Sequence, residues 1–206
     1  MSCAAADGHV NPFLSVIAHL VQFGHEIVWI GGRQYRTRIE STGAEFVSMP
    51  EAFDPNGMDI YDFKPELKKL KGLDQIKCYI RTWSYDAAIP TLAIIEDIRK
   101  RFEPDLYISD PMVYALYFKA ELLNKPSINF HVIPLSFSSK DDGPFGTGLP
   151  PTNKLIGKLR IKLMNLLVDK ILFRDLKKEC DELRKGIGLQ PYNHILTDSL
   201  RVHLKY

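Results

Sequence analysis

Short β-type segments alternate with helical segments along most of the chain, and this alternation constrains the fold more than any other feature. The pattern predicts strands at residues 2–5, 26–30, 44–49, 106–109 and 127–132, and helices at 12–23, 34–42, 73–102, 112–123 and 154–185. Successive strands separated by helical connections are typical of a parallel sheet with helices on both faces. We therefore expect an α/β fold, a Rossmann-like doubly wound parallel sheet.

A sharp turn is predicted where the first strand meets the first helix. Gly8 gives the backbone room to turn, Asn11 is a candidate N-cap, and Pro12 suits the first helical position. His9 then lies just beyond the carboxyl end of the strand. Ligands of open parallel sheets bind at this edge, so His9 is a candidate functional residue.

Asp110 follows the predicted fourth strand and would lie at the same edge as His9. A histidine oriented by a carboxylate is a general-base unit. Because no Gly-x-Ser-x-Gly motif accompanies the pair, the base would act on a substrate hydroxyl. The alternatives are structural: His9 as a capping or loop-packing residue, and Asp110 as the cap of the next helix.

Four motifs in order resemble the N-terminal half of UDP-dependent glycosyltransferases. They are Asp7-Gly8-His9-Val10-Asn11-Pro12, Gly24-His25-Glu26 before a strand, Pro104-Asp105-Leu106-Tyr107-Ile108-Ser109-Asp110, and the loop Gly143-Pro144-Phe145-Gly146-Thr147-Gly148-Leu149-Pro150-Pro151. Within that family, the motifs resemble those of the macrolide and natural-product group, whose members have the two-domain GT-B fold. The resemblance implies that residues 1–206 are one N-terminal, acceptor-binding, Rossmann-like domain, half of a GT-B fold, without the nucleotide-sugar-binding C-terminal domain.

The resemblance also implies an inverting hexosyl transfer from a UDP-sugar to a hydroxyl of a lipophilic small molecule. His9 matches the general base of the family and Asp110 matches its orienting carboxylate. The family needs no metal and no resident cofactor, and the sequence has no Asp-x-Asp motif or His/Cys cluster. Its partners would be an acceptor, a nucleotide-sugar donor and a C-terminal GT-B domain in cis or in trans. The truncated chain alone is expected to be inactive.

An apolar cleft with few polar groups is expected to hold the acceptor. The candidate acceptor-binding residues are Asn11, Phe53, Trp83, Met112, His131 and Phe145. The aromatic residues could equally form plain core, and His131 could be a core histidine. A non-catalytic alternative also remains, in which the domain binds a lipophilic ligand or docks a separate sugar-nucleotide-binding subunit.

Charge and cysteine content exclude several other classes. The formal net charge of +2 gives no strong attraction to nucleic acid. Three widely spaced cysteines fit neither a disulfide framework nor a zinc site, and together with the lack of a signal peptide or membrane span they predict a cytoplasmic protein. The basic helix at residues 154–185 could contact an anionic membrane. The favoured interpretation is a helix that packs its leucine stripe on a core and exposes a solvated basic face.

Overall fold

The computed structural model describes residues 1–132, 141–144 and 147–192, and of Asp169 the backbone alone. The chain divides into two compact units, Met1–Val132 and Ile133–Tyr206. The assignment of residues 1–206 to one acceptor-binding domain therefore stays a prediction.

A parallel sheet forms the centre of the first unit. Its strands are β1 (Val28–Gly31), β2 (Glu45–Ser48), β3 (Tyr107–Ser109) and β4 (Ser127–Asn129), with β1 paired to β2 and β3 paired to β4. Ser2 joins the two pairs, because it forms parallel bridges to both Ile30 and Ser109. The resulting order is β2, β1, Ser2, β3, β4. The predicted first strand is thus reduced to one bridging residue.

Helices cover both faces of this sheet, as a doubly wound fold requires. The first unit contains α1 (Asp7–Gln22), α2 (Arg36–Glu40), α3 (Ile60–Phe63), α4 (Gly72–Ile80), α5 (Ala88–Arg99) and α6 (Tyr114–Leu122). Successive side chains of β1 belong to separate cores: Trp29 packs with Phe13 and Ile17 of α1, whereas Val28 packs with residues of α5 and α6. The α/β prediction is confirmed.

The start of α1 differs from the prediction. The helix begins at Asp7, with Ala6 as its extended N-cap, so Asn11 is not a cap and Pro12 lies inside the helix. Gly8 is helical too, and the sharp turn predicted there was wrong. Pro12 is the sixth residue of the helix and has no N–H to donate to the carbonyl of Gly8, so α1 lacks one i→i−4 hydrogen bond near its start. His9 is therefore the third residue of a helix.

The predicted helix over 73–102 is interrupted, as expected from Pro90. A π-helical segment, Arg81–Asp86, separates α4 from α5. Pro90 is the third residue of α5, where a missing N–H costs little. The π-helical segment ends at Asp86, whose carbonyl receives no N–H from Pro90 and is crowded by its ring.

In the described part of the second unit, two helices take the place of the single helix predicted over 154–185. They are α7 (Leu155–Leu167) and α8 (Arg174–Gly186), separated by a π-helical segment, Val168–Leu172, and by Phe173, whose backbone is not helical. The expected packing of the leucine stripe was wrong. Ile161 is buried, but the predicted stripe is exposed along α7 and into the π-helical segment: Leu155, Leu159, Leu163, Leu166, Leu167 and Ile171. None of the described helices has the length and apolar character to cross a membrane.

Candidate active site

His9 and Asp110 meet at the carboxyl edge of the sheet. Asp110 directly follows β3, and His9 lies in the first turn of α1, which follows the bridging residue Ser2. The Nδ1 atom of His9 lies 2.8 Å from Oδ2 of Asp110. His9 and Asp110 are therefore close together in the structure, as parallel topology predicts.

The Asp110 carboxylate is completely buried, and hydrogen bonds from the chain compensate its loss of water. Besides the His9 imidazole, Oδ2 accepts the backbone N–H of Ala4 at 2.7 Å. The other oxygen, Oδ1, accepts the backbone N–H of Met112 at 2.7 Å. Three donors from three segments thus hold the carboxylate in one orientation.

These contacts determine the tautomer of His9. A carboxylate without a proton only accepts hydrogen bonds, so Nδ1 of His9 carries the hydrogen and donates it to Asp110. Nε2 is then the basic nitrogen. The side chain of His9 is 23% exposed, so solvent reaches part of the ring. The hydrogen bond to Asp110 raises the pKa of His9 above its usual 6.5, against the opposing effect of burial. The arrangement can take a proton at Nε2 and stabilise the resulting imidazolium.

A further hydrogen bond fixes the backbone of Asp110, and no pattern in the sequence pointed to it. The buried hydroxyl of Tyr117 donates to the carbonyl of Asp110 at 2.8 Å. Tyr117 lies on α6, two turns after the Asp-Pro turn. An aromatic residue on a helix is ordinarily assigned to the core, so its role became visible only from the folded chain.

Three of the predicted acceptor-binding residues lie near one another. Trp83 and Met112 border a small cavity of about 20 Å³ that also touches Ala4, the residue whose N–H binds Asp110. The indole Nε1 of Trp83 donates to the backbone carbonyl of Phe53 at 3.3 Å. Tyr79, which was predicted only as part of a wall segment, stacks on Trp83 with 5.1 Å between ring centroids.

The remaining three candidates have different placements. Asn11 is exposed, and its side-chain oxygen accepts a hydrogen bond from Arg38 of α2, so it is engaged with another helix. His131 is half-buried after β4; burial lowers its pKa, and the Asp110 charge opposes that shift. His131 is thus within electrostatic range of the His9–Asp110 pair. Phe145 lies outside the described residues.

A second buried carboxylate, Asp54, stabilises the turn after β1 and was missed in the sequence. One of its oxygens accepts both the backbone N–H and the Nε of Arg33, at 2.9 and 3.0 Å. The other accepts the N–H of Asn56 at 3.0 Å. A Cβ atom on Gly32 would lie 2.8 Å from the Cβ atom of Ala5 and 3.1 Å from the Asp54 carboxylate, so the turn leaves no room for a side chain at this position. The run Asp54-Pro55-Asn56-Gly57 is a recognisable turn signal.

A cavity larger than the one beside Trp83 lies away from this site. It measures about 640 Å³ and is lined at the amino edge of the sheet by residues that include Ile27, Leu106 and Phe102. Ser2 alone bridges β1 and β3, so the preceding parts of these strands face each other across this space. Its polar groups form no acid–base pair with His9. The chemical arrangement, rather than cavity size, therefore identifies the candidate site.

Comparison with known proteins places this geometry in a family context. No protein-family model matches the chain. The chain is 31% identical over 183 residues to 4'-demethylrebeccamycin synthase of Lentzea aerocolonigenes, a match that covers 89% of this chain and 44% of that protein. It is also 27% identical over 163 residues to UDP-glucosyltransferase 1 of Beauveria bassiana (strain ARSEF 2860), covering 71% of this chain and 34% of that protein.

A solved structure gives the same picture of the fold. The glycotransferase of kitacinnamycin superposes with a TM-score of 0.63 at 17% identity, over 99% of this chain and 43% of that one. The chain is a relative of the GT-B glycosyltransferases. It spans less than half the length of the curated relatives that it matches. The resemblance to a GT-B half, predicted from four motifs, is confirmed.

The relationship leaves the chemistry of the site open to test. Among the described residues, no group of three His, Cys, Asp or Glu side chains is arranged to hold a metal ion. Metal independence stays a prediction, as do the roles of His9 and Asp110. The support for those roles is the 2.8 Å contact between Nδ1 of His9 and Oδ2 of Asp110.

Proposed function

We propose that this chain is the acceptor-binding part of an inverting, metal-independent glycosyltransferase that moves a hexose from a UDP-sugar to a hydroxyl of a lipophilic small molecule. The observation that carries the proposal is the 2.8 Å contact between Nδ1 of His9 and the buried Asp110 carboxylate. It leaves Nε2 as the basic nitrogen of a partly exposed ring at the ligand-binding edge of a parallel sheet.

The proposed reaction follows from the position of the hydrogen on Nδ1 of His9, which leaves Nε2 free to accept a proton. The acceptor hydroxyl gives its proton to Nε2 of His9 as its oxygen attacks the anomeric carbon of the donor. The bond between that carbon and the diphosphate oxygen breaks, and UDP leaves with the electron pair. Attack opposite the leaving group inverts the anomeric centre. Asp110 stays ionised and stabilises the imidazolium by charge and hydrogen bonding.

The acceptor would lie beside this pair. Trp83, Met112 and the Tyr79 ring supply apolar and aromatic surface on the Ala4 side of Asp110. Such surface suits a lipophilic or aromatic acceptor. The nucleotide-sugar donor would be bound mainly by a C-terminal GT-B domain, supplied in cis or in trans. A cytoplasmic location, expected from the free cysteines Cys3, Cys78 and Cys180, belongs to the same proposal.

The test uses the complete enzyme, in which this chain is joined to a nucleotide-sugar-binding half, with UDP-glucose and a polyhydroxylated aromatic acceptor. His9→Ala is expected to lower kcat/KM by roughly 10²- to 10⁴-fold, because the general base is lost. His25→Ala is the matched control, since His25 is an exposed histidine before β1, and it should retain activity. Near-normal turnover by the His9→Ala enzyme would exclude the proposed role. Product stereochemistry, read by NMR, tests inversion separately.

The non-catalytic alternative receives less support. A module that only binds a ligand has no need of an imidazole held by a fully buried carboxylate with three hydrogen-bond donors. Acceptor binding that is unchanged in the complete enzyme, together with undetectable transfer to any hydroxyl acceptor, would favour that alternative.

A further inference from the structure

The most unusual surface of the described chain is the exposed side of α7. Leu155 and Ile156 are 84% and 83% exposed. Leu159, Leu163 and Leu166 are also exposed and recur at spacings of three or four residues, which places them on one side of the helix. Together with Leu167 and Ile171 they form what we call the α7 apolar face. Contiguous exposed apolar surface on a soluble domain is typical of an interaction site.

The helix is anchored on its opposite side. Ile161 is completely buried, and it lies across the helix from Leu159 and Leu163 by the helical period. The orientation of α7 is therefore fixed by packing, and the apolar face does not result from a helix without tertiary contacts. No described residue buries this face.

Charges beside the α7 apolar face indicate the kind of partner. Residues Leu155–Leu167 include Lys158, Arg160 and Lys162 and no acidic residue. At about 100° per residue, Lys158 and Lys162 lie along one flank of the face and Arg160 along the other. The carboxylate of Asp141 lies 3.0 Å from the Lys158 ammonium, so Lys158 is partly neutralised. Arg160 and Lys162 supply positive charge on both sides.

We propose that the α7 apolar face binds the surface of a membrane that contains anionic lipids. The leucine side chains would enter the boundary between headgroups and acyl chains, while the flanking cations extend to the lipid phosphates and carboxylates. A second copy of the chain fits this face less well. Two such faces in contact would place cationic flanks near each other, and α7 offers no acidic residue to pair with them.

The first experiment is flotation with vesicles of the complete enzyme, in which this chain is joined to a nucleotide-sugar-binding half. One set contains phosphatidylcholine alone, and the other contains phosphatidylcholine with phosphatidylserine. Binding is expected to be roughly tenfold or more stronger on the anionic vesicles, and to weaken as salt is added. Equal binding to both sets, or no binding to either, would overturn the proposal.

Variants separate the apolar and ionic contributions. The double variant Leu159→Gln/Leu163→Gln should lose more than about tenfold in binding, because both side chains would no longer enter the apolar layer. Arg160→Gln and Lys162→Gln should each lose about fivefold on anionic vesicles alone. Ile76→Gln is the matched control: Ile76 is an exposed apolar residue on α4, and its replacement should leave binding unchanged.

Sedimentation of the same proteins distinguishes a protein partner from a lipid surface. If the wild-type chain forms dimers that Leu159→Gln/Leu163→Gln dissociates, a second copy covers the face and the membrane proposal is wrong. A wild type that stays monomeric and floats with anionic vesicles supports it. Circular dichroism verifies that each variant is folded. None of these measurements depends on glycosyl transfer.

Discussion

Asp110 and Leu159 both lie in environments that are unusual for their residue types, one buried and the other exposed. Asp110 is a carboxylate with no exposure to water, whereas Leu159 is a leucine that is more than half exposed. The first departure is compensated within the chain, because Ala4, His9 and Met112 each donate a hydrogen bond to the carboxylate. The second is shared with neighbouring residues of α7 and is not compensated within the described residues.

The difference indicates where each region obtains its function. A buried charge that is fully hydrogen-bonded by its own fold is organised in advance for chemistry. An exposed apolar face gains free energy only when something else covers it. We therefore interpret the carboxyl edge of the sheet as the chemical site and the α7 apolar face as a contact surface.

Replacing a side chain by alanine should lower the free energy of unfolding much more on the buried side of α7 than on its exposed side. Ile161→Ala should lower the free energy of unfolding by about 2–5 kcal/mol, because it leaves a cavity in packed surroundings. Leu159→Ala should change it by less than about 0.5 kcal/mol, since the side chain is exposed. Urea unfolding of both variants provides the comparison. Similar losses of stability would mean that Leu159 is packed in solution and that this side of α7 is not an exposed apolar surface.

The buried carboxylate should be sensitive to the loss of its charge. Asp110→Asn should lower the free energy of unfolding by about 1–3 kcal/mol, because an amide cannot accept all three hydrogen bonds. The effect should depend on pH. The native pKa of His9 is raised above 6.5, so the ionic contribution of the pair is fully present below pH 6.5 and is lost as pH rises through the native pKa.

The free energies of unfolding of the wild type and of Asp110→Asn, measured below pH 6.5 and above the native pKa of His9, check the direction of this pH dependence. The stability difference should be larger at the acidic end. An NMR titration of the His9 ring should also give a lower pKa in Asp110→Asn than in the wild type, since burial then acts without the carboxylate. A wild-type pKa at or below 6.5 would contradict the pairing.

The smallest expected effect concerns Gly8, in the first turn of α1. Its backbone is helical and a side chain there would meet no atom within 4 Å, so Gly8→Ala should stabilise the protein by about 0.5–1 kcal/mol. Thermal unfolding measures this directly. In the complete enzyme, the same variant should lose transfer activity if substrate approaches the backbone beside His9. Loss of stability instead would mean that Gly8 adopts the sharp turn expected from the sequence.

Much of the site could be predicted because it depends on local pattern and on a topological rule. Polar residues that follow parallel strands meet at one edge of the sheet, so the sequence alone predicts that His9 and Asp110 lie together. The donors that hold Asp110 could not be predicted in the same way. Two of them are backbone N–H groups, of Ala4 and Met112, and such groups leave no trace in residue type.

Periodicity and parallel topology are sufficient to predict the alternation of strands and helices, the doubly wound sheet and the shared edge of His9 and Asp110 from the amino-acid pattern. Tertiary packing sets the start of α1 at Asp7 and the outward orientation of the α7 leucines. Helical spacing specifies which residues share a face, but burial of that face depends on which other elements reach it. Those elements are distant in sequence, and their positions emerge only when the chain folds.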